Sequence, residues 1–181
     1  MKFKMISTII TLLTSLICMP SQGSSPLAES EIEFGGTLVA EPCIVTSGSD
    51  GDNVVVDFGT IADRTFYSGS GRRTWLQPFH ILLTECNTML SKEVKIMFRG
   101  AEDAEQPGLL ASGIKHIAIG LQTESGTALP FNKQTQPYTL QNGNTQLNFK
   151  AYVQASEEGV RNQSIELGAF DAVSTFELEY P

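Results

Sequence analysis

Short runs in which apolar and polar residues alternate recur along the chain, separated by clusters of Gly, Pro, Asn, Asp and Ser. Alternation with a period of two predicts half-buried strands, and the intervening clusters predict turns. The runs are Leu38–Val45, Asn53–Phe58 (NVVVDF), Gln77–Cys86 (QPFHILLTEC), Val94–Phe98 (VKIMF), Lys115–Leu121 (KHIAIGL), Gln146–Val153 (QLNFKAYV) and Phe170–Tyr180. Asn142-Gly143 is a hairpin-type pair. No stretch places apolar residues at helical spacing, so helix is expected only as a turn around Ile61–Phe66. Short strands with frequent turn signals predict one all-β domain, an antiparallel sandwich of immunoglobulin-like character.

The two ends of the chain do not fit a closed sandwich. In ESEIEFGGTLVAEPC, Ile32, Phe34 and Leu38 share one face and Glu31, Glu33 and Thr37 the other, yet the segment precedes the body of the domain. In GAFDAVSTFELEYP, Phe170, Ala172, Ser174, Phe176, Leu178 and Tyr180 share one face, with Asp171, Glu177 and Glu179 opposite. A sandwich of this kind is expected to cover that last strand with one more, because a bare apolar edge invites aggregation. Two resolutions stay open on physical grounds. The first strand folds back to complete its own sheet, giving a self-complemented secreted binding domain, or it completes the sheet of another molecule. Head-to-tail contacts of the second kind generate a filament.

Composition places the protein outside the cytoplasm. Lys2 and Lys4, the apolar run Ile6–Ile17 and the small residues around Met19-Pro20-Ser21-Gln22-Gly23 read as a secretory signal peptide over residues 1–23. A lipoprotein anchor at Cys18 is the rival reading, but Ile17 stands where a small residue is needed. The chain has 20 acidic against 12 basic residues, a net charge of −8, and two of those lysines lie in the leader. Such a body attracts neither nucleic acid nor an anionic membrane. Without Cys18, Cys43 and Cys86 remain, an even pair in an exported protein and so a disulfide. Closing a loop of that length is worth about 4 kcal/mol in the chain-entropy description.

Candidate chemistry is sparse. His80 and His116 lie in strand-like runs without a Ser or Cys nucleophile pattern, and Ser68–Gly71 (SGSG) is not a nucleophile elbow. Asp50-Gly51-Asp52-Asn53 resembles part of a calcium loop but lacks the downstream bidentate glutamate, and reads as a turn. Arg72–Trp75 (RRTW) reads as a surface loop with a half-buried tryptophan, in which a cation–π contact could form. No catalytic residue, metal site or cofactor is expected.

The ordered set GTLVAEPC, VDFGTI, QPFHILLTEC, VKIMFRG and GAFDAVSTFELEYP, with its two-cysteine spacing and a tyrosine near the last residue, resembles the chaperone–usher pilin family. The resemblance implies an incomplete immunoglobulin-like sandwich (residues 42–181) that lacks its last strand, preceded by a donor-strand extension over residues 24–41. It implies that Ile32, Phe34, Gly36 and Leu38, and also Ala40, face a neighbour's groove. It assigns Phe170, Ala172, Phe176, Leu178, Tyr180 and Pro181 to the groove strand and chaperone contact. The partners so implied are a periplasmic chaperone, an outer-membrane usher and neighbouring pilin subunits, and the destination is the cell-surface fimbria. Within the family a terminating subunit is the alternative, whereas an adhesin would carry an extra lectin domain. Gly35, beside Gly36, departs from the family pattern.

Overall fold

The computed structural model describes residues 32–38, 40–46, 53–68 and 71–181. The predicted signal peptide, the first part of the predicted extension and most of the Asp50–Asn53 turn lie outside the described residues. Two units are distinguished, residues 1–37 and 38–181. In the first, residues 32–37 form neither helix nor ladder. The second unit holds the strands β1 (Ile44–Thr46), β2 (Gln77–Cys86), β3 (Glu93–Arg99), β4 (Leu110–Ala111) and β5 (Ile117–Thr123). These are followed by β6 (Ala128–Leu129), β7 (Tyr138–Thr139), β8 (Gly143–Ala155) and β9 (Thr175–Glu179).

Every pairing is antiparallel. One sheet runs β1-β2-β8-β5-β4 with β6 also on β5, and the other runs β7-β3-β9. Alternation along the strands decides which side chains meet between the sheets. Leu147, Phe149, Ala151 and Val153 of β8 and Ile81 and Leu83 of β2 point inward from one sheet, and Val94, Ile96 and Phe98 of β3 from the other. The aromatic centre is Phe98 against Phe149, with ring centroids 5.2 Å apart edge to face, joined by Phe79, Tyr138 and Phe176. Such edge contacts add to the burial of their large apolar areas. A smaller cluster, Phe66, Ile117, Val153, Ala155 and Ile165, lies at one end of the sandwich.

The disulfide depends on a break in this alternation. Strict period two would place Glu85 inside and Cys86 outside. Instead the β2–β8 register shifts between Leu83 and Cys86, and Glu85 takes a left-handed φ of 52°. The extra residue turns Cys86 inward, as bulges do. It there bonds to Cys43, and both cysteines are buried. β1 covers only Leu82–Thr84 of β2, and no other strand pairs with the outer edge of Gln77–Ile81 among the described residues. Pro78 stands in that uncovered stretch, where a missing N–H costs no ladder bond.

The expected helical turn occurs at α1 (Arg64–Tyr67), started by the Asp63 carboxylate, which accepts from the Arg64 N–H. A second helix, α2 (Glu157–Arg161), was not foreseen. Its signal is local: the Ser156 hydroxyl accepts from the Gly159 N–H, and Glu157 and Glu158 occupy the first turn, both favourable at a helix start. Three predicted strands are altered. The Leu38–Val45 run joins a ladder only at its end, in Ile44–Thr46, because the Glu41-Pro42 step leaves the strand path. Asn53–Phe58 alternates in burial but joins no ladder, and the final strand pairs only over Thr175–Glu179, leaving Phe170–Ser174 without a ladder.

Replacing Cys43 and Cys86 together by Ser removes the staple without leaving an unpaired thiol. The double variant should lose about 2–5 kcal/mol, read as a lower urea midpoint for the same protein under oxidising conditions.

Candidate functional site

The two unladdered segments face each other across an apolar groove. Val54, Val56 and Phe58 line one wall, and Ala172, Ser174 and Phe176 the other. Within each wall these are alternate residues, so each segment is an extended strand showing one face to the groove. Ile81, Phe98, Ile119 and Phe131 lie in its floor, and the cavity measures about 170 Å³. The cleft continues between Asp57–Ile61 and Gly168–Ala172, and ends beside Phe66, Ile117, Ile165 and Phe170. The walls touch where the Phe58 and Phe170 rings approach, with centroids 6.3 Å apart.

The backbone of the walls is as informative as their side chains. Among the described residues, neither 53–58 nor 168–174 makes a backbone hydrogen bond to another segment. Two parallel rows of unused donors and acceptors flank an apolar floor. That arrangement suits one ligand shape above others, an extended peptide with apolar residues at every second position.

β9 fixes one wall in place. Phe176 and Leu178 pair with Phe98 and Ile96 of β3, and Arg99 bridges Glu177 across the pair at 2.5 Å. The contact holds the Glu177 carboxyl below its usual range and raises the guanidinium, the hydrogen bond being the larger cause in each case. Gln134 donates to Glu179 on the same exposed face. Tyr180 is half-buried, and burial first and Glu41 second push its phenol up. The Ser91 hydroxyl donates to the Pro181 carbonyl at 3.1 Å.

The structure therefore gathers Phe170, Ala172, Phe176, Leu178 and Tyr180 on one half-buried face, as their alternation predicts. Sequence reasoning missed the opposite wall. Val54, Val56 and Phe58 were legible as a strand from NVVVDF, but nothing local says that this strand borders a groove. Of the predicted donor residues, Ile32 is 71% exposed, Phe34 90% and Leu38 101%. A Cβ on Gly36 would meet nothing within 4 Å.

A second cluster imitates catalytic machinery. His116 is 3% exposed, its Nδ1 is 2.7 Å from Glu105 Oε2, and Ser156 Oγ is 3.2 Å away. A nucleophilic triad needs the acid on one ring nitrogen and the serine on the other. Here both contacts fall on Nδ1, and Ser156 is already occupied as the cap of α2. The cluster pins the Asp103–Gly108 loop and α2 to the start of β5. Hydrogen bonds from Ser156 first and His116 second hold the Glu105 carboxyl below its usual range.

Nearby, a cavity of about 590 Å³ is lined by Arg72, Arg73, Tyr152, Gln154 and Glu157. Arg72 bridges Glu157 at 3.2 Å and Arg73 donates to Gln154 at 2.5 Å, so these charged groups are partnered. The cation–π contact anticipated in RRTW exists but with a different ring. Arg73 lies 4.4 Å over Tyr152, while Trp75 is 55% exposed, about the half-burial that the loop reading expects. Among the described residues, no three His, Cys, Asp or Glu side chains converge as metal ligands.

The family described as "Fimbrial protein" matches residues 32–181. This chain belongs to the fimbrial-protein family. It is 32% identical to the putative minor fimbrial subunit PmfF of Proteus mirabilis, over 99% of this chain and 100% of that protein. It is 31% identical to the fimbrial adapter PapK of Escherichia coli, over 92% and 96% of the two chains. Among solved structures, the P pilus rod subunit PapA superposes with a TM-score of 0.67 at 24% identity, over 78% of this chain and 100% of that one. The fold is thus the immunoglobulin-like fold of chaperone–usher pilins, and the protein is a structural pilus subunit of the cell surface.

The depressed Glu105 carboxyl stabilises the fold fully above the ordinary carboxylate range, and the contribution is lost as pH falls through its lowered pKa. Glu105→Gln should flatten the acid limb of a plot of Tm against pH, leaving a smaller loss between neutral and acid pH than in the parent.

Proposed function

We propose that this fimbrial subunit joins its neighbours by donor-strand exchange through the groove between Val54–Phe58 and Ala172–Phe176. The observation that carries the reading is the pair of extended walls with unused backbone bonds over an apolar floor. Residues 1–23 act as the signal peptide, 24–41 as the donor extension and 42–181 as the pilin body. Ile32, Phe34 and Leu38 enter a neighbouring subunit's groove as alternate apolar residues, and Gly36 passes where the floor admits no side chain. Burying the three apolar side chains contributes roughly 5–9 kcal/mol. Ordering the strand opposes this, so the durability of the joint rests largely on slow unfolding.

A periplasmic chaperone covers the same groove before assembly, engaging Phe170, Ala172, Phe176, Leu178, Tyr180 and the Pro181 end. An outer-membrane usher is where the exchange takes place. The role is structural and needs no cofactor.

A synthetic Ser24–Glu41 peptide should raise the Tm of a chain beginning at Pro42 by several degrees, and the Gly36→Asn peptide should not. A chain beginning at Pro42 that is a stable monomer alone and indifferent to the peptide would sink the reading.

A further inference from the structure

Besides the walls of the groove, the described surface carries an apolar prominence with no role in the account above. Met89 is 91% exposed and Leu90 54%, at the tip of the turn that follows β2. The turn is held firmly. The Leu90 N–H donates to the Asn87 carbonyl at 3.0 Å, and the Met89 N–H to the Asn87 side-chain oxygen at 3.0 Å. Two adjacent exposed apolar residues on a braced turn form a small patch, which gains meaning only from where the turn is held.

The position of the turn names its partner. The Asn87 N–H donates to the Pro42 carbonyl at 2.7 Å, and the neighbouring Cys86 is bonded to Cys43. The turn is therefore fastened to the residues at which the extension becomes the body. Cys43 stands five positions after Leu38, a reach of at most about 17 Å even when fully extended. Once Leu38 is seated in a neighbour's groove, Cys43 and the attached turn are held close to that neighbour's surface, beside the end of the groove from which the chain emerges. With the donor strand antiparallel to the Ala172–Phe176 wall, that end is the one near Gly168.

Resting on the donor-strand reading, we propose that the Asn87–Leu90 turn is a second contact with the acceptor subunit, in which Met89 and Leu90 seat on apolar surface at the mouth of the acceptor's groove. The occupant is the pilin that receives residues 32–38. In this fold the end of the groove near Gly168 presents such a surface, since Leu167 there is 74% exposed. Methionine is suited to the role, because its unbranched thioether adapts to irregular surfaces on differing partners. The turn thereby stiffens a joint otherwise made by one strand and a short tether.

The test uses the full chain assembled into pili by its own machinery, with a photo-reactive amino acid placed at Met89 or, as a control, at Phe34. The expected result is a Phe34 cross-link inside the acceptor's groove and a Met89 cross-link to the acceptor segment equivalent to Ser164–Gly168. In addition, the Met89→Glu/Leu90→Glu pair should make the assembled joint come apart roughly tenfold faster in hot detergent, with the circular dichroism of the free subunit unchanged. A Phe34 cross-link in the groove with none at the groove mouth from Met89, and no change in joint lifetime, overturns the second contact alone. Loss of the Phe34 cross-link as well sinks the donor-strand reading, and the second contact with it.

Discussion

Backbone hydrogen bonds and apolar burial have to be satisfied together, and in this molecule one strand's width of sandwich satisfies neither. The walls at Val54–Phe58 and Ala172–Phe176 turn their apolar faces inward, while their amides and carbonyls make no bond to another segment. Either deficiency alone could be repaired by side-chain repacking or by water. The two together call for a peptide in extended form, because only a strand supplies both a hydrogen-bonding edge and side chains at alternate positions. The arrangement of the core around that groove, with Phe98 between Phe149 and Phe176, keeps the floor apolar.

Much of this was legible in the sequence because period-two alternation survives even where pairing is lost. NVVVDF and GAFDAVSTFELEYP each announce a strand, and the structure keeps their alternating burial. What alternation does not encode is the partner. Asn53–Phe58 reads the same whether it lies in a ladder or along a groove, so its role as a wall emerged only from the fold. α2 was missed because five residues are too few for helical periodicity to show, although Ser156 and the two glutamates carry its start. The RRTW motif reads as a surface loop, and only the strand pairing shows that Tyr152 lies under Arg73. Long-range juxtapositions of this kind are set by topology and leave no local trace.

The disulfide shows the reverse case, a feature easily inferred and then found to have a local structural cost. The pairing of Cys43 with Cys86 follows from their number and compartment. Delivering Cys86 to the interior still requires a bulge, with Glu85 in the left-handed region and the β2–β8 register displaced. The staple then fastens the first residues of the body to the end of β2, a strand paired on both sides, and so ties a chain segment near the sheet's edge into the ladder.

The uncovered edge of β2 bears on the geometry of growth. A second open edge could recruit strands as readily as the groove, and subunits would then branch or clump in two dimensions. Along Gln77–Ile81 the backbone is interrupted by Pro78, and Pro78 and His80 lie exposed, so that edge is a poor template for a visiting strand. With that side blunted, one competitor to the proposed socket and plug is removed. A single imino acid, placed there, favours linear growth over branching.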